Sequence, residues 1–390
     1  MSTSPSPIIA RRLASFGQTI FTEISALALK HNAINLGQGF PNFDGPAFVK
    51  RAAIEAIEQG HGQYARMFGV PALNEALAAR FRADTGLDVD ANTEITVTSG
   101  CTEAIAATML GLINPGDEVI VFEPYYDSYP ACLAMAGAVP RFVTLRPPKF
   151  EVDEAMLRSA FSAKTRAVLI NTPHNPSGKV FTRRELELIA ALCKQHDAIA
   201  ITDEVYERLV FEGEHVRMCT LPGMWERTVT LSSLGKTFSL TGWKIGWAIA
   251  PGRLTKGVRA AHQFLTFATA TPLQHGAVAA LNAPDSYYDE FVKEYRVKRD
   301  MLVDGLARIG FDVYPPDGTY FVLADHTPFG FESDVAFCKH LIEEIGVAAI
   351  PPSAFYHDPR DGRRLVRFAF CKTEETLREA LSRMTKLKRS

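Results

Sequence analysis

The chain has 390 residues, of which 47% are hydrophobic and 22% are charged, and its formal net charge is −2. This length suits two α/β domains better than one small core, and the near-neutral charge argues against a nucleic-acid partner or an anionic membrane surface. The amino terminus lacks an apolar signal segment, and no stretch has the roughly 18 consecutive apolar residues of a membrane span. We therefore expect a cytoplasmic protein that neither crosses nor binds a membrane.

The first part of the chain repeats one pattern, in which a short apolar run leads into a polar or glycine-rich turn and then a helix-like segment. The apolar runs are 95–98, 118–122, 167–170, 198–201 and 229–231. Such short runs suit strands that are buried on both faces of a mostly parallel sheet, and their alternation with helices predicts βαβ units. Because ligands bind beyond the carboxyl ends of such strands, we expect the turns to converge on one site.

From about residue 285 the pattern changes. A long amphipathic segment at 287–309 precedes the strand-like segments FDVYP and GTYFVLAD, a helix around 334–345, a strand at 364–370 and a last helix. This order predicts a smaller α+β domain packed on the sheet domain. We expect three parts: an amino-terminal arm and part of the small domain at 1–45, the large domain at 46–285, and the small carboxyl-terminal domain at 286–390.

Six cysteines are scattered along the chain without a CxxC pair: Cys101, Cys132, Cys193, Cys219, Cys338 and Cys371. This spacing argues against a zinc site or a disulfide framework and is typical of a protein in a reducing compartment. We therefore expect no metal site.

Lys236 follows the fifth apolar run, in the segment SSLGKTFSLTGWKIGW. A lysine considered alone is usually a solvated surface residue. The Gly-Lys-Thr at 235–237 is not a P-loop, because the glycine required five positions before Gly235 is replaced by Thr230. A lysine that forms a Schiff base lies in a desolvated pocket, where a lowered pKa makes its amine nucleophilic. With Ser233 and a second lysine, Lys244, close by, Lys236 is a candidate for that role.

Asp203 and Asn175 lie in the turns that follow two other apolar runs. Asp203 is also a good helix N-cap, and the two prolines and the glycine around Asn175 would form a turn whatever its function. The functional alternative for Asp203 is a buried carboxylate that stabilises a protonated ring nitrogen of a cofactor. Tyr206, three residues later, would then donate to the ring oxygen, and Asn175 would lie at the same sheet edge.

The segment Ser99-Gly100-Cys101-Thr102 opens a helix directly after a strand. Exposed backbone N–H groups and the helix dipole make this position an anion site, although Ser and Thr are also ordinary caps. Arg367 lies inside the apolar strand segment LVRFAF. A buried arginine must pair or bind an anion, so Arg367 either clamps a substrate carboxylate or forms an internal ion pair. The local pattern leaves both alternatives open.

Together these segments resemble the class I aminotransferases of PLP fold type I, in particular the branch of kynurenine aminotransferase/glutamine transaminase K and methionine aminotransferase. The similar motifs occur in family order along nearly the whole chain: NLGQGFPNFDGP, QYARMFG, EPYYDSY, NTPHNPSGKVF, ITDEVYE, SSLGKTFSLTGWKIGW and LVRFAFCKTEETL. The resemblance implies an aspartate aminotransferase-like α/β fold, with a mostly parallel mixed sheet flanked by helices and a smaller α+β domain.

The resemblance also implies that pyridoxal 5′-phosphate (PLP) is the cofactor. Lys236 would form the Schiff base with it and carry the proton during the reaction, and Asp203 would pair with the pyridine nitrogen. The other implied contacts are Asn175 and Tyr206 at the ring oxygen, Tyr126 on the ring face, Gly100, Cys101, Thr102, Ser233 and Lys244 at the phosphate, and Tyr64 at the phosphate of the neighbouring subunit. The contact of Tyr64 implies a homodimer with shared active sites.

For the substrates, the resemblance implies that Arg367 clamps the α-carboxylate, assisted by Asn175 and the backbone of Gly39. Phe21 falls where kynurenine-type relatives place an aromatic ring against the substrate side chain, and Tyr125 and Phe267 of the partner subunit are candidates for further apolar wall. A second arginine for a side-chain carboxylate is not evident. We therefore expect ping-pong transfer of the α-amino group of a large neutral amino acid (methionine, glutamine, aromatic or kynurenine type) to a 2-oxo acid.

Three alternatives use the same scaffold. An N-succinyldiaminopimelate aminotransferase would need a basic group for the distal carboxylate of its substrate. A cysteine-S-conjugate β-lyase would release pyruvate and a thiol without an oxo-acid acceptor. A PLP-binding regulator usually carries a DNA-binding domain, for which the chain has no room before residue 35. The first two remain alternatives to the expected transamination.

Overall fold

The structure, a computed structural model, describes residues 8–17 and 19–389. Residues 1–7 of the expected amino-terminal arm lie outside the described residues. The strands are β1 (Ile34–Asn35), β2 (Ile95–Ser99), β3 (Glu118–Glu123), β4 (Val139–Thr144), β5 (Thr165–Asn171), β6 (Ile199–Asp203), β7 (Thr228–Ser233), β8 (Ile245–Ile249), β9 (Asp312–Tyr314), β10 (Phe321–Asp325), β11 (Val347–Ala348) and β12 (Leu365–Ala369). The helices are α1 (Ile20–Lys30), α2 (Ala47–Glu58), α3 (Pro71–Thr85), α4 (Gly100–Leu112), α5 (Ser128–Ala136), α6 (Glu154–Ala160), α7 (Arg183–Gln195), α8 (Leu234–Thr237), α9 (Gly252–Leu265), α10 (Thr271–Leu281), α11 (Asp285–Ile309), α12 (Asp334–His340) and α13 (Glu374–Met384).

The central sheet has seven strands in the order β2-β8-β7-β6-β5-β3-β4. Its strands from β7 to β4 are parallel, whereas β8 runs antiparallel to both β7 and β2. The five apolar runs of the sequence form β2, β3, β5, β6 and β7, and nearly all of their residues are buried. The expected mostly parallel mixed sheet flanked by helices is therefore confirmed.

A second sheet is antiparallel, with the strand order β12-β10-β9. It belongs to the carboxyl-terminal part of the chain, together with the long helix α11 and the last helix α13. The helix expected around 334–345 is α12 followed by a turn of π-helix at Leu341–Ile345. The short strand β1 pairs in parallel with β11, so the segment near residue 35 packs with the carboxyl-terminal elements.

Glycines allow α4 to lie unusually close to its neighbours. A Cβ atom added at Gly111 would lie 2.1 Å from the carbonyl oxygen of Gly257 on α9, and one added at Gly246 on β8 would lie 2.4 Å from the backbone of Gly100. Both distances are far shorter than any real contact of a Cβ atom, so these positions require glycine. This close packing holds the start of α4 against β8 and the last turn of α4 against α9.

None of the helices in the described ranges combines the length and the apolarity that a bilayer crossing requires.

Candidate active site

One cavity lies where the carboxyl ends of β5, β6 and β7 meet the start of α4, and the predicted convergence of the turns is confirmed. The predicted site residues that line it are Phe21, Gly39, Gly100, Cys101, Thr102, Tyr126, Asn175, Asp203, Tyr206, Ser233, Lys236, Lys244 and Arg367.

Lys236 lies on α8, a single helical turn that follows β7 directly. Its side chain is open to the cavity and is otherwise enclosed by protein, with Nζ 5.6 Å from the ring centre of Tyr206 and 5.7 Å from that of Tyr320. Burial lowers the pKa of Lys236, and the nearby guanidinium of Arg367 acts in the same direction. A lowered pKa raises the fraction of neutral, nucleophilic amine, so the position of Lys236 suits attack on a carbonyl group.

Asp203 ends β6 and its side chain is buried. Its oxygen Oδ2 accepts a hydrogen bond of 2.7 Å from the hydroxyl of Tyr129, and Oδ1 accepts from the backbone N–H of Val205 at 3.3 Å and from the thiol of Cys101 at 3.6 Å. Burial raises the pKa of Asp203, and these hydrogen bonds act against it. The residues that follow Asp203 form a turn rather than a helix, so the helix N-cap alternative is wrong.

Asparagine side chains connect the ends of β5 and β6 with Arg367. Asn171, which pairs in register with Asp203, donates to the carbonyl of Asp203 at 2.9 Å and accepts from the backbone N–H of Asn175 at 2.7 Å. The side-chain oxygen of Asn175 accepts from Arg367 at 3.1 Å. Asn175 is thereby held at the same edge of the sheet as Asp203, as the sequence predicted.

Arg367 lies on β12 and only 1% of it is exposed. It donates to Asn175 and, at 2.8 Å, to the carbonyl of Gly37, while its Nε has no hydrogen-bond partner among the described residues. The centres of three phenylalanine rings lie 4.2–5.2 Å from the guanidinium carbon of Arg367: those of Phe21, Phe321 and Phe355. Burial lowers the pKa of Arg367 to about 10. Because both hydrogen-bond acceptors are neutral, the contacts of Arg367 favour an anionic ligand over the internal ion pair.

The segment 37–40 forms one wall of the cavity and is held through its backbone carbonyls. Besides the bond from Arg367, Tyr320 donates to the carbonyl of Gly39 at 2.6 Å, and the buried Lys372 donates to those of Gln38 at 3.1 Å and Phe40 at 2.6 Å. Each of these donors comes from β10, β12 or their immediate neighbours. The amino-terminal wall of the cavity is thus attached to the carboxyl-terminal sheet.

The start of α4 has the features of an anion site. Gly100 has a φ of +75°, and no side chain caps the helix, which leaves the N–H groups of its first turn available to a ligand. Lys244 approaches this point so closely that a Cβ atom at Gly100 would lie 3.1 Å from Lys244 Nζ. Ser233 lines the same cavity. An ammonium group and a helix amino terminus at one place suit a phosphate group.

Three residues from the sequence interpretation do not line the cavity of their own chain. Tyr64 is 83% exposed and packs edge-on against Phe267, with ring centres 5.4 Å apart. Tyr125 packs on Phe142, with ring centres 5.6 Å apart. Tyr64 and Phe267 were expected to act on the neighbouring subunit, and the exposure of this pair is compatible with that expectation.

The structure adds lining residues that the sequence did not single out, among them Asp127, Tyr129, Asn171 and Phe321. A signal existed for Asn171, because it ends an apolar run in the same way as Asp203. The motif EPYYDSY contained Asp127 and Tyr129, but nothing in it indicated which side chains face the cavity.

Comparisons with known proteins match almost the whole chain. The family model "Aminotransferase class I and II" matches residues 31–384. A probable N-succinyldiaminopimelate aminotransferase of Mycobacterium tuberculosis is 46% identical over 96% of this chain and 98% of its own. The methionine aminotransferase of Escherichia coli is 42% identical over 98% and 99%, and a kynurenine–oxoglutarate transaminase of Dictyostelium discoideum is 39% identical over 97% and 96%.

Solved structures give the same result for the fold. An Escherichia coli structure described as having a methionine aminotransferase function superposes with a TM-score of 0.94 at 42% identity, covering 98% of this chain and 100% of that one. A Thermus thermophilus aspartate aminotransferase variant superposes with a TM-score of 0.91 at 33% identity, covering 97% and 99%. The fold is therefore aspartate aminotransferase-like.

Proposed function

The chain belongs to the class I and II aminotransferases, and we propose that it moves the α-amino group of a large neutral amino acid, of the methionine, glutamine or aromatic and kynurenine type, to a 2-oxo acid. The observation that carries this substrate class is the composition of the cavity around Arg367. Among the described lining residues Arg367 is the sole arginine, and three phenylalanine rings surround it. The α-carboxylate of the substrate would bind to Arg367, and the phenylalanine rings would form an apolar wall for the substrate side chain.

Enzymes of this family depend on PLP, and the described residues fit that cofactor. The uncapped start of α4, at Gly100, Cys101 and Thr102, would hold the phosphate together with Ser233 and Lys244. Asp203 would hold the ring nitrogen, because a buried carboxylate with its own hydrogen-bond donors can remain ionised beside a cation. Asn175 and Tyr206 would donate to the ring oxygen, and Tyr126 would cover the ring face.

When bound, PLP supplies an electron sink for the bond that breaks at the substrate Cα. The protein supplies position and proton transfer. Lys236 has a pKa lowered by burial, so its Nζ would hold the cofactor covalently in the resting enzyme and, as the free amine, would take the proton from the substrate Cα. Arg367, Asn175 and the backbone of Gly39 would hold the α-carboxylate and thereby fix the orientation of the Cα–H bond toward Lys236.

A homodimer would complete the site. Tyr64 is exposed and lies outside the cavity of its own chain, so we propose that it contacts the phosphate in the neighbouring subunit. We also propose that residues 1–45 form the arm and part of the small domain, that residues 46–285 form the large domain, and that residues 286–390 form the small carboxyl-terminal domain. The six buried, unpaired thiols support a cytoplasmic location.

A panel of amino donors tests the substrate class, with one 2-oxo acid as acceptor. We expect kcat/KM to be highest for methionine, glutamine or an aromatic amino acid, and Lys236→Ala to abolish turnover. A preference for N-succinyldiaminopimelate, which the name of the M. tuberculosis relative suggests, would contradict the proposal. Release of pyruvate from a cysteine conjugate without an acceptor would instead identify a β-lyase.

A further inference from the structure

Nearly every charged side chain that lines the cavity has a binding partner in the proposed reaction. The charged side chains among its described lining residues are Lys236, Lys244, Arg367, Asp203 and Asp127. The proposed function, on which the following inference rests, gives a partner to the first four: the reacting carbonyl, the phosphate, the α-carboxylate and the ring nitrogen. Asp127 is the charge that remains, and no cation remains to accompany it.

Asp127 occupies the N-cap position of α5, but its side chain makes no capping hydrogen bond. The side chain is half-buried and lines the cavity. Burial raises the pKa of Asp127, and the charge of Arg367 acts most strongly against this shift. The influence is mutual, because Asp127 favours the charged form of Arg367. Asp127 therefore lies within electrostatic reach of the group that would bind the α-carboxylate.

The cavity that would receive the side chain of a donor held by Arg367 is also lined by Phe21, Phe321 and Asp127. A carboxylate on that side chain would meet a second carboxylate in a partly desolvated space, where repulsion between like charges is stronger than in water. A neutral side chain would not be affected in this way. We infer that Asp127 is a specificity-determining residue that excludes donors with an anionic side chain. This selection acts by rejection of the wrong substrate rather than by added contacts to the right one.

Equilibrium binding of two carboxylic acids to the holoenzyme tests this inference separately from turnover. Glutarate carries a distal carboxylate and 3-phenylpropanoate carries a ring, and both are titrated by the change in cofactor absorbance. Asp127→Asn removes the charge and keeps the shape. We expect it to lower the ratio of the dissociation constants, glutarate over 3-phenylpropanoate, by about tenfold or more.

Matched variants separate charge from structure. Asp127→Glu keeps the charge and should keep the wild-type ratio, and Asp289→Asn removes a carboxylate from the exposed face of α11 and should keep it as well. If Asp127→Asn does not retain PLP, Asp127→Ser provides a second neutral variant. An unchanged ratio in the neutral variants, or a ratio that Asp289→Asn lowers equally, would overturn the role of Asp127.

The two proposals fail in different experiments. If the donor panel shows that the wild type does not use neutral donors, the proposed function is wrong. If neutral donors are used but the binding ratio does not respond to the charge at position 127, only the inference about Asp127 is wrong.

Discussion

At the residue scale, Asp203 is a buried carboxylate whose hydrogen-bond donors favour its ionised form, and this is the form that can bind a cation. Without donors, burial would favour its protonated form, because a charge loses its hydration when it leaves water. Tyr129, Cys101 and the N–H of Val205 replace part of that hydration. Tyr129 forms the shortest of these bonds and is itself buried, so its hydroxyl has Asp203 as its partner in the interior.

We expect Tyr129→Phe to weaken PLP binding by about tenfold, because a hydrogen bond to a charged group contributes on the order of 1.5–3 kcal/mol. The bond lowers the pKa of Asp203, so its loss should raise that pKa further and leave the ring nitrogen with a weaker partner at low pH. The measurements are the dissociation constant of PLP and the pH titration of holoenzyme absorbance. Tyr125→Phe, at a tyrosine outside the cavity, serves as the control. Unchanged affinity and titration in Tyr129→Phe would contradict the role given to Tyr129.

Three of the site residues could be predicted from the residue pattern because their positions follow from the central sheet. Asp203 ends a buried strand, Lys236 and Asn175 lie shortly after two others, and the carboxyl ends of neighbouring parallel strands must meet. Asp127 and Tyr129 lie at the start of α5, where the direction of a side chain depends on how the helix packs. The sequence pattern contains no information on that packing, so these two residues became visible only in the structure.

At the scale of elements, an ion pair connects α9 with the start of α4. His262 is fully buried, and its ring nitrogens lie 2.6 Å from Glu103 and 2.7 Å from the carbonyl of Met67. Both neighbours are hydrogen-bond acceptors, so the imidazole satisfies them only when both of its nitrogens carry protons. Burial lowers the pKa of His262, but the bonds to Glu103 and Met67 outweigh it and the net shift is upward.

We therefore expect a stabilising contribution from His262 that depends on pH. A group whose pKa is higher in the folded than in the unfolded state stabilises the protein below the unfolded value of 6.5, and this contribution is lost as the pH rises through the folded value. The thermal midpoint of wild-type unfolding, measured at fixed protein concentration, should fall as the pH rises from 6.5 through the pKa of His262 in the folded protein. His262→Gln should be less stable at pH 6 and should show a smaller fall. An equal pH dependence in the variant would contradict this assignment.

The sequence analysis did not predict two strands of the central sheet, β4 and β8, and the reasons differ. The edge strand β4 contains Pro140 and alternates between exposed and half-buried positions at its start, so it lacks the continuous apolar run that marked the other strands. The strand β8 begins one residue after Lys244, directly behind a short 3-10 helix at Thr241–Trp243. Its residues were therefore interpreted as part of the lysine motif rather than as a separate element.

At the scale of the whole molecule, the exposed aromatic pair of Tyr64 and Phe267 supports the proposal of a second subunit. Large apolar side chains on nearby elements are exposed as well, including Ile57 at 61% and Phe264 at 85%. Clusters of exposed apolar groups are typical of protein interfaces. The sequence interpretation gave the role of Tyr64 by resemblance alone, since no local pattern distinguishes an interface tyrosine from one on a free surface.

We expect Tyr64→Ala to lower the affinity for PLP, although Tyr64 does not line the cavity of its own chain. Mixed dimers give the sharper measurement. A dimer of one Lys236→Ala subunit and one Tyr64→Ala subunit contains one complete site, so mixing two impaired proteins should restore activity. Val297→Ala, at an exposed apolar residue of α11, is the control for the loss of a surface side chain. If mixing restores nothing while mixed dimers form, the sites are not shared.

The attachment of the segment 37–40 to Arg367, Tyr320 and Lys372 affects the order in which parts of the chain can fold during translation. The bonds from Arg367 to Gly37 and from Lys372 to Gln38 join residues 330 and 334 positions apart in sequence. Translation produces the amino-terminal wall of the cavity first, but its attachment points emerge only with the last strands. The central sheet can pair earlier, whereas the substrate cavity closes after nearly the whole chain has been released. A nascent chain stalled before β12 should therefore lack Arg367 and with it the proposed α-carboxylate site.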